Sequence, residues 1–122
     1  MMKVCIAGSR GFTNESYLIE KVNQLIEQGH VTEPFTLICG MARGADMTGY
    51  YVCKDNDIEI IEYPADWNTH GKSAGFIRNK EMADVCDCAV IFWDGQSVGT
   101  ANMIKLMRNR NKPVYVFEYL EK

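Results

Sequence analysis

The chain has no long apolar run, no excess of positive charge, no cysteine framework and no low-complexity tract, and each absence removes a class of protein. Its longest strongly apolar stretch, Cys88 to Trp93, is far short of the roughly 20 residues that a bilayer-crossing helix needs. No membrane partner is expected. Met1 and Met2 lead almost directly into a strand-like segment without a signal-peptide pattern, so the expected location is the cytoplasm. Lys and Arg number 13 against 16 Asp and Glu, a net charge of −3, without the basic stripe of a dedicated duplex-DNA binder. A nucleic-acid partner is therefore not expected, although a small local anion site is compatible with this balance. The 5 cysteines are an odd number. Cys5, Cys39, Cys86 and Cys88 lie in or beside apolar runs, where reduced cysteine packs as a small hydrophobe. Cys86 and Cys88 are one residue apart, and His30 and His70 are not spaced to complete a four-ligand zinc site, so no metal is expected. Nothing in the chain calls for a cofactor.

What is present fits one α/β domain over residues 1–122. A hydrophobic fraction of 47% and a charged fraction of 24% suit a globular chain that can bury a core. The apolar pattern switches repeatedly between short runs and helical stripes. Strands are expected at residues 3–7, 35–39, 58–62, 88–93 and 114–118. Helices are expected at 14–28, 46–56, 76–84 and from Gly99-Thr100 to about Arg110, with residues 64–75 as the longest irregular stretch. Several strands are apolar throughout, which points to burial on both faces of a doubly wound, mostly parallel five-stranded sheet with helices on both sides, a Rossmann-like arrangement.

In such a sheet, ligands bind where the loops leave the C-terminal strand ends. Three of those loops share one design. They are Gly8-Ser9-Arg10-Gly11, then Gly40-Met41-Ala42-Arg43-Gly44-Ala45-Asp46, then Asp94-Gly95-Gln96-Ser97-Val98-Gly99-Thr100. Glycines permit tight turns and close backbone approach, helix N-termini supply unpaired N–H groups, and hydroxyls and arginines add donors. Phosphate is the anion that suits this set. Lys72, Arg78 and Asn79 join from the segment before strand four, so Arg10, Arg43, Lys72 and Arg78 make a positive rim on an acidic body. The expected ligand-binding residues are thus Gly8, Ser9, Arg10, Gly40, Ala42, Arg43, Gly44, Asp46, Lys72, Arg78, Asn79, Asp94, Gly95, Ser97, Gly99 and Thr100.

Two familiar nucleotide motifs are missing. Gly71-Lys72-Ser73 lacks the earlier glycine of a Walker A loop, since Asp66 stands there, and Gly8-Ser9-Arg10-Gly11 lacks the G-x-G-x-x-G order of a dinucleotide fingerprint. Neither a P-loop NTPase nor an ordinary NAD dehydrogenase is supported.

Read together, Gly8-Ser9-Arg10, Ala42-Arg43-Gly44-Ala45-Asp46, Pro64-Ala65-Asp66-Trp67, Gly71-Lys72, Ala74-Gly75, Arg78-Asn79 with Met82, Trp93-Asp94-Gly95 and Gly99-Thr100 resemble the YspA or cpYpsA-related branch of the SLOG superfamily. The resemblance runs over nearly the whole chain. It implies a Rossmann-like fold related to the LOG phosphoribohydrolases and the DprA DNA-processing proteins, and a role in binding nucleotides or nucleotide-derived signals. By the same resemblance, Arg78 matches the arginine with which LOG enzymes hold their nucleotide, and Gly99-Thr100 matches part of their P-G-G-x-G-T-x-x-E motif. Their catalytic glutamate has no counterpart, because Met103 stands at that position. A thioether can neither stabilise an oxocarbenium ion nor carry a proton. Met41 is a second departure, at a position where the branch commonly carries glycine.

The first expectation is a sensor or carrier module that binds a nucleotide or an ADP-ribose-like compound. An alternative is a nucleotide hydrolase or phosphoribohydrolase using a remaining carboxylate, Glu81 or Asp66. A further alternative is a DprA-like single-strand binder, using Arg108, Arg110 and Lys112. Asp46 reads as a helix-terminal carboxylate, Trp67 as a base-stacking ring or a plug over the core, and His70 as the one histidine near the rim. The oligomeric state, monomer or homo-oligomer, is open.

Overall fold

A computed structural model describes residues 1–119 of the chain. Five strands, β1 (Met2–Gly8), β2 (Phe35–Cys39), β3 (Ile60–Glu62), β4 (Cys88–Trp93) and β5 (Val114–Glu118), form one sheet in the order β3-β2-β1-β4-β5. All four pairings are parallel. The helices are α1 (Glu15–Glu27), α2 (Ala45–Asp55), α3 (Trp67–His70), α4 (Ala74–Val85) and α5 (Val98–Asn109), with a 3₁₀ turn at Gly71–Ser73 between α3 and α4.

Alternation along β1 divides the interior into two cores. Val4 and Ile6 join Leu18, Val22 and Leu25 of α1 and Cys53 of α2 on one face. Cys5 and Ala7 join Met82 and Ala83 of α4 and Met103, Ile104 and Met107 of α5 on the other. The sheet is therefore covered on both sides, which is why β4 is apolar at every position and β1 is apolar from Val4 to Ala7. All 5 cysteines are buried free thiols. Burial pushes Cys39, Cys53 and Cys88 up to about 12, so they pack as protonated hydrophobes.

Chain order reverses direction between β1 and β4, so the loops after these two strands diverge and open a crevice at their C-terminal ends. The structure corrects three boundaries. Residues 64–75 are mostly helical, because the Asp66 side chain accepts from Thr69 N at 3.1 Å and starts α3. Accordingly α4 begins at Ala74, two residues before the expected start at Phe76. The third strand is shorter than 58–62, because Ile58 N donates to Cys53 O and closes the end of α2 instead.

Candidate functional site

A cleft of about 490 Å³ lies over the C-terminal ends of β1 and β2, between loops that lead to α2 and α5 and the segment carrying α3 and α4. Of the residues expected to bind ligand, Gly8, Arg10, Gly40, Ala42, Asp46, Lys72, Arg78, Asn79, Ser97, Gly99 and Thr100 line it. Ser9, Arg43, Gly44, Asp94 and Gly95 are not among the lining residues.

Ser9 is buried and ties three loops together. Its backbone N donates to Phe92 O at 2.9 Å, its carbonyl accepts from Ala45 N at 3.1 Å, and its Oγ accepts from Asp94 N at 2.9 Å. Gly44, with φ +91, passes so close to Ser9 O and the Arg10 backbone that a Cβ would collide with both. These contacts lock the first loop onto the second. Asp94 holds the turn before α5, its Oδ1 accepting from Gln96 N at 2.8 Å and Ser97 N at 2.9 Å. Those two N–H groups hold the Asp94 carboxyl below its ordinary range. Arg43 is exposed. The cations that face the cleft are therefore Arg10, Lys72 and Arg78.

Met41 adopts φ 60, a left-handed conformation that costs a non-glycine residue about 1–2 kcal/mol. Its side chain packs against the core under α1 and α2. The second loop thus keeps a glycine-like backbone while carrying a methionine.

Arg78 and Asn79 act as one unit. Arg78 Nη1 donates to Gly40 O and Nε to Asn79 Oδ1 at 3.0 Å, and Asn79 Nδ2 donates to Gly99 O and to Asn102 Oδ1, each at 3.1 Å. The pair links the second loop, α4 and the first turn of α5 across the crevice. Within α5's cap, Thr100 Oγ1 donates to Ser97 Oγ at 2.9 Å, and Ser97 Oγ accepts from Thr100 N at 3.4 Å.

Asp46 is the buried charged residue of the cleft, 5% exposed. It sits in the first turn of α2, yet its Oδ2 turns back to accept from Ala42 N at 3.2 Å, so it braces the loop and does not cap its helix. Burial pushes its carboxyl up to about 6, against opposing pulls from the Arg78 charge and the Ala42 N–H. Asp46 Oδ2 and Arg78 Nη1 flank Gly40, 2.7 and 2.9 Å from where a Cβ would stand. The two groups attract each other across glycine without forming a direct ion pair.

Met103, 1% exposed, belongs to the core under α5 and also lines the cleft. Together with Met82 it supplies apolar surface to the cleft. Glu81 and Asp66 are exposed and do not line the cleft. His70 ends α3 and is likewise not in the lining. Among the described residues, no group of three or more His, Cys, Asp or Glu side chains is arranged to hold a metal.

Trp67 and Phe76, 53% and 46% exposed, stand at the mouth of the cleft. Phe76 is not among the residues that the sequence alone assigns to the site. Its signal was an aromatic directly after Ala74-Gly75 in a first helical turn, outside the stripe that faces the core. Asp46, already expected in the site, shares its spacing with Gly49 and Cys53, which places its carboxylate on the buried side of α2.

The solved DNA processing protein A (DprA) from Streptococcus pneumoniae has a similar fold, with a TM-score of 0.73 at 16% identity over 95% of this chain. This chain spans half the length of that one, at 50%, and the likeness shows the fold alone. The Gene 61 protein of Mycobacterium phage D29 is 31% identical, covering 96% of this chain and 97% of the phage protein. A family model described as YspA, cpYpsA-related SLOG matches residues 2–70, more than half of the chain. With that match, the chain belongs to the YspA, cpYpsA-related SLOG family.

Proposed function

We propose that the cleft binds a phosphate-bearing nucleotide or nucleotide derivative as a sensor or carrier module. The observation that carries this reading is the convergence of Arg10, Lys72 and Arg78 with the N-terminal turn of α5 on one concave site at the sheet's crossover. The first N–H groups of a helix have no intrahelical acceptor, and the local dipole favours an anion. Arg78 is partly anchored by Gly40 and Asn79, so its remaining N–H donors are oriented before a ligand arrives. A volume of about 490 Å³ exceeds what a lone phosphate fills and suits a nucleotide-sized molecule. Trp67 and Phe76 at the mouth offer flat apolar surface to a base.

Binding is favoured over glycosidic hydrolysis because Met103 lies in the cleft, Glu81 and Asp66 lie outside its lining, and the carboxylate that does line it, Asp46, is tied to Ala42 N at 3.2 Å. The single-strand reading loses two of its three cations. Arg110 Nε pairs with Asp84 at 2.7 Å, and Lys112 Nζ caps the end of α4 by donating to Ala83 O and Asp84 O at 2.7 and 3.0 Å.

Isothermal titration against nucleoside mono- and diphosphates and ADP-ribose tests the proposal. The expected result is binding in the micromolar range for at least one member, weakened at least about tenfold by Arg78→Gln. Absence of binding below millimolar for every anionic nucleotide contradicts it.

A further inference from the structure

Asp46 is an anomaly in an anion site. A carboxylate at the floor of a cleft whose other charged groups are Arg10, Lys72 and Arg78 repels the phosphate that those cations attract. It is 5% exposed, and only one of its oxygens is occupied. Oδ2 accepts from Ala42 N, while Oδ1 has no hydrogen-bond donor among the described residues. That oxygen keeps some access to solvent, so water can serve it, and a ligand that displaces this water must supply a donor in its place. Phosphate at neutral pH is mainly an acceptor and cannot serve that oxygen well. A hydroxyl can.

Resting on the phosphate-ligand reading above, we infer that Asp46 is the specificity-determining residue of the cleft: its free oxygen accepts a hydrogen bond from a sugar hydroxyl, so the site takes a phosphorylated sugar in preference to inorganic phosphate or pyrophosphate. The layout supports a division of the ligand. Lys72, Arg10 and the N-terminal turn of α5 would hold phosphate, Asp46 beside Gly40 would hold the sugar, and Trp67 and Phe76 at the mouth would cover whatever the sugar carries. Arg78, anchored on the Gly40 carbonyl, adjoins Asp46 at Gly40. The space at Gly40 is essential, since a Cβ there would press on both charged groups.

Calorimetric titration of the whole chain with ribose 5-phosphate, inorganic phosphate and pyrophosphate tests the inference, using wild type, Asp46→Asn and Asp46→Ala. Asp46→Asn keeps the shape and Asp46→Ala removes the acceptor. Circular dichroism on each variant establishes that it is folded. The expected result is that wild type binds ribose 5-phosphate at least about tenfold more tightly than inorganic phosphate. Both variants then lose about tenfold or more for the sugar phosphate, while their affinity for inorganic phosphate and pyrophosphate holds or rises. Wild-type affinities equal for sugar phosphate and inorganic phosphate overturn the inference and leave the phosphate site standing. So does a gain for all three ligands in the variants, which would make the carboxylate merely repulsive. If wild type binds none of the three, the phosphate-site reading fails and this inference falls with it.

Discussion

Asp46 carries the sharpest prediction at the scale of single residues. Its folded carboxyl is raised from 3.8 to about 6 by burial, so between those values the native state holds a proton that the unfolded chain has released. Stability contributed by this group is therefore greatest below pH 4 and falls as pH rises to about 6. Asp46→Asn removes the penalty, and at pH 7–8 it should be more stable than wild type by on the order of 1–3 kcal/mol. The advantage should vanish near pH 3.5. Urea denaturation at several pH values measures this, and a less stable Asp46→Asn at pH 7 would mean that the pull of Arg78 and the Ala42 N–H on the carboxylate outweighs its burial. Gly44 carries the opposite expectation. Gly44→Ala adds a Cβ that collides with Ser9 O at φ +91, and the loss should be about 2 kcal/mol or more in the same assay.

Between elements, the bond that matters is Asn79. Its amide spans from Arg78 on α4 to Gly99 and Asn102 on α5 while 7% exposed. Asn79→Ala removes the bonds from α4 to Gly99 O and Asn102 Oδ1 and leaves the Arg78 guanidinium held by Gly40 O alone, and should cost about 1–3 kcal/mol together with part of any nucleotide affinity. Lys112→Ala is the matching control. It uncaps α4 far from the cleft, so thermal unfolding should register a loss of about 0.5–1 kcal/mol with ligand titrations unchanged. The strands and main helices were legible in the chain because apolar period and helix punctuation agree there. Residues 64–75 were not, since α3 rests on a local cap by Asp66 and only 4 residues of helix, too short for any hydrophobic period to register. Likewise Ile58 carries strand propensity, but its N–H closes the end of α2 behind Asp57 at φ 57, a local helix-end bond that strand propensity does not reveal.

For the whole molecule, the cleft follows from topology. A parallel sheet in the order β3-β2-β1-β4-β5 must bring the loops after β1, β2 and β4 to one edge, and so the gathering of Gly8, Gly40, Gly99, Arg10, Lys72 and Arg78 is legible in the sequence. Which side chains look inward was less readable. Ser9 and Asp94 spend their polar atoms joining loops, Arg43 turns to solvent, and Asp46 turns from its helix into the cleft. Those directions depend on loop–loop contacts that no local pattern encodes. A body of net charge −3 with cations concentrated at one cleft should capture anionic ligands with an affinity that declines as salt rises. The central claim, that this cleft is the nucleotide site, is tested most directly by an amide-resolved NMR titration of labelled protein with ADP-ribose. The account predicts saturable shifts confined to residues 8–10, 40–46, 65–79 and 97–100; shifts confined to the α5–β5 face, or none up to millimolar ligand, would contradict it.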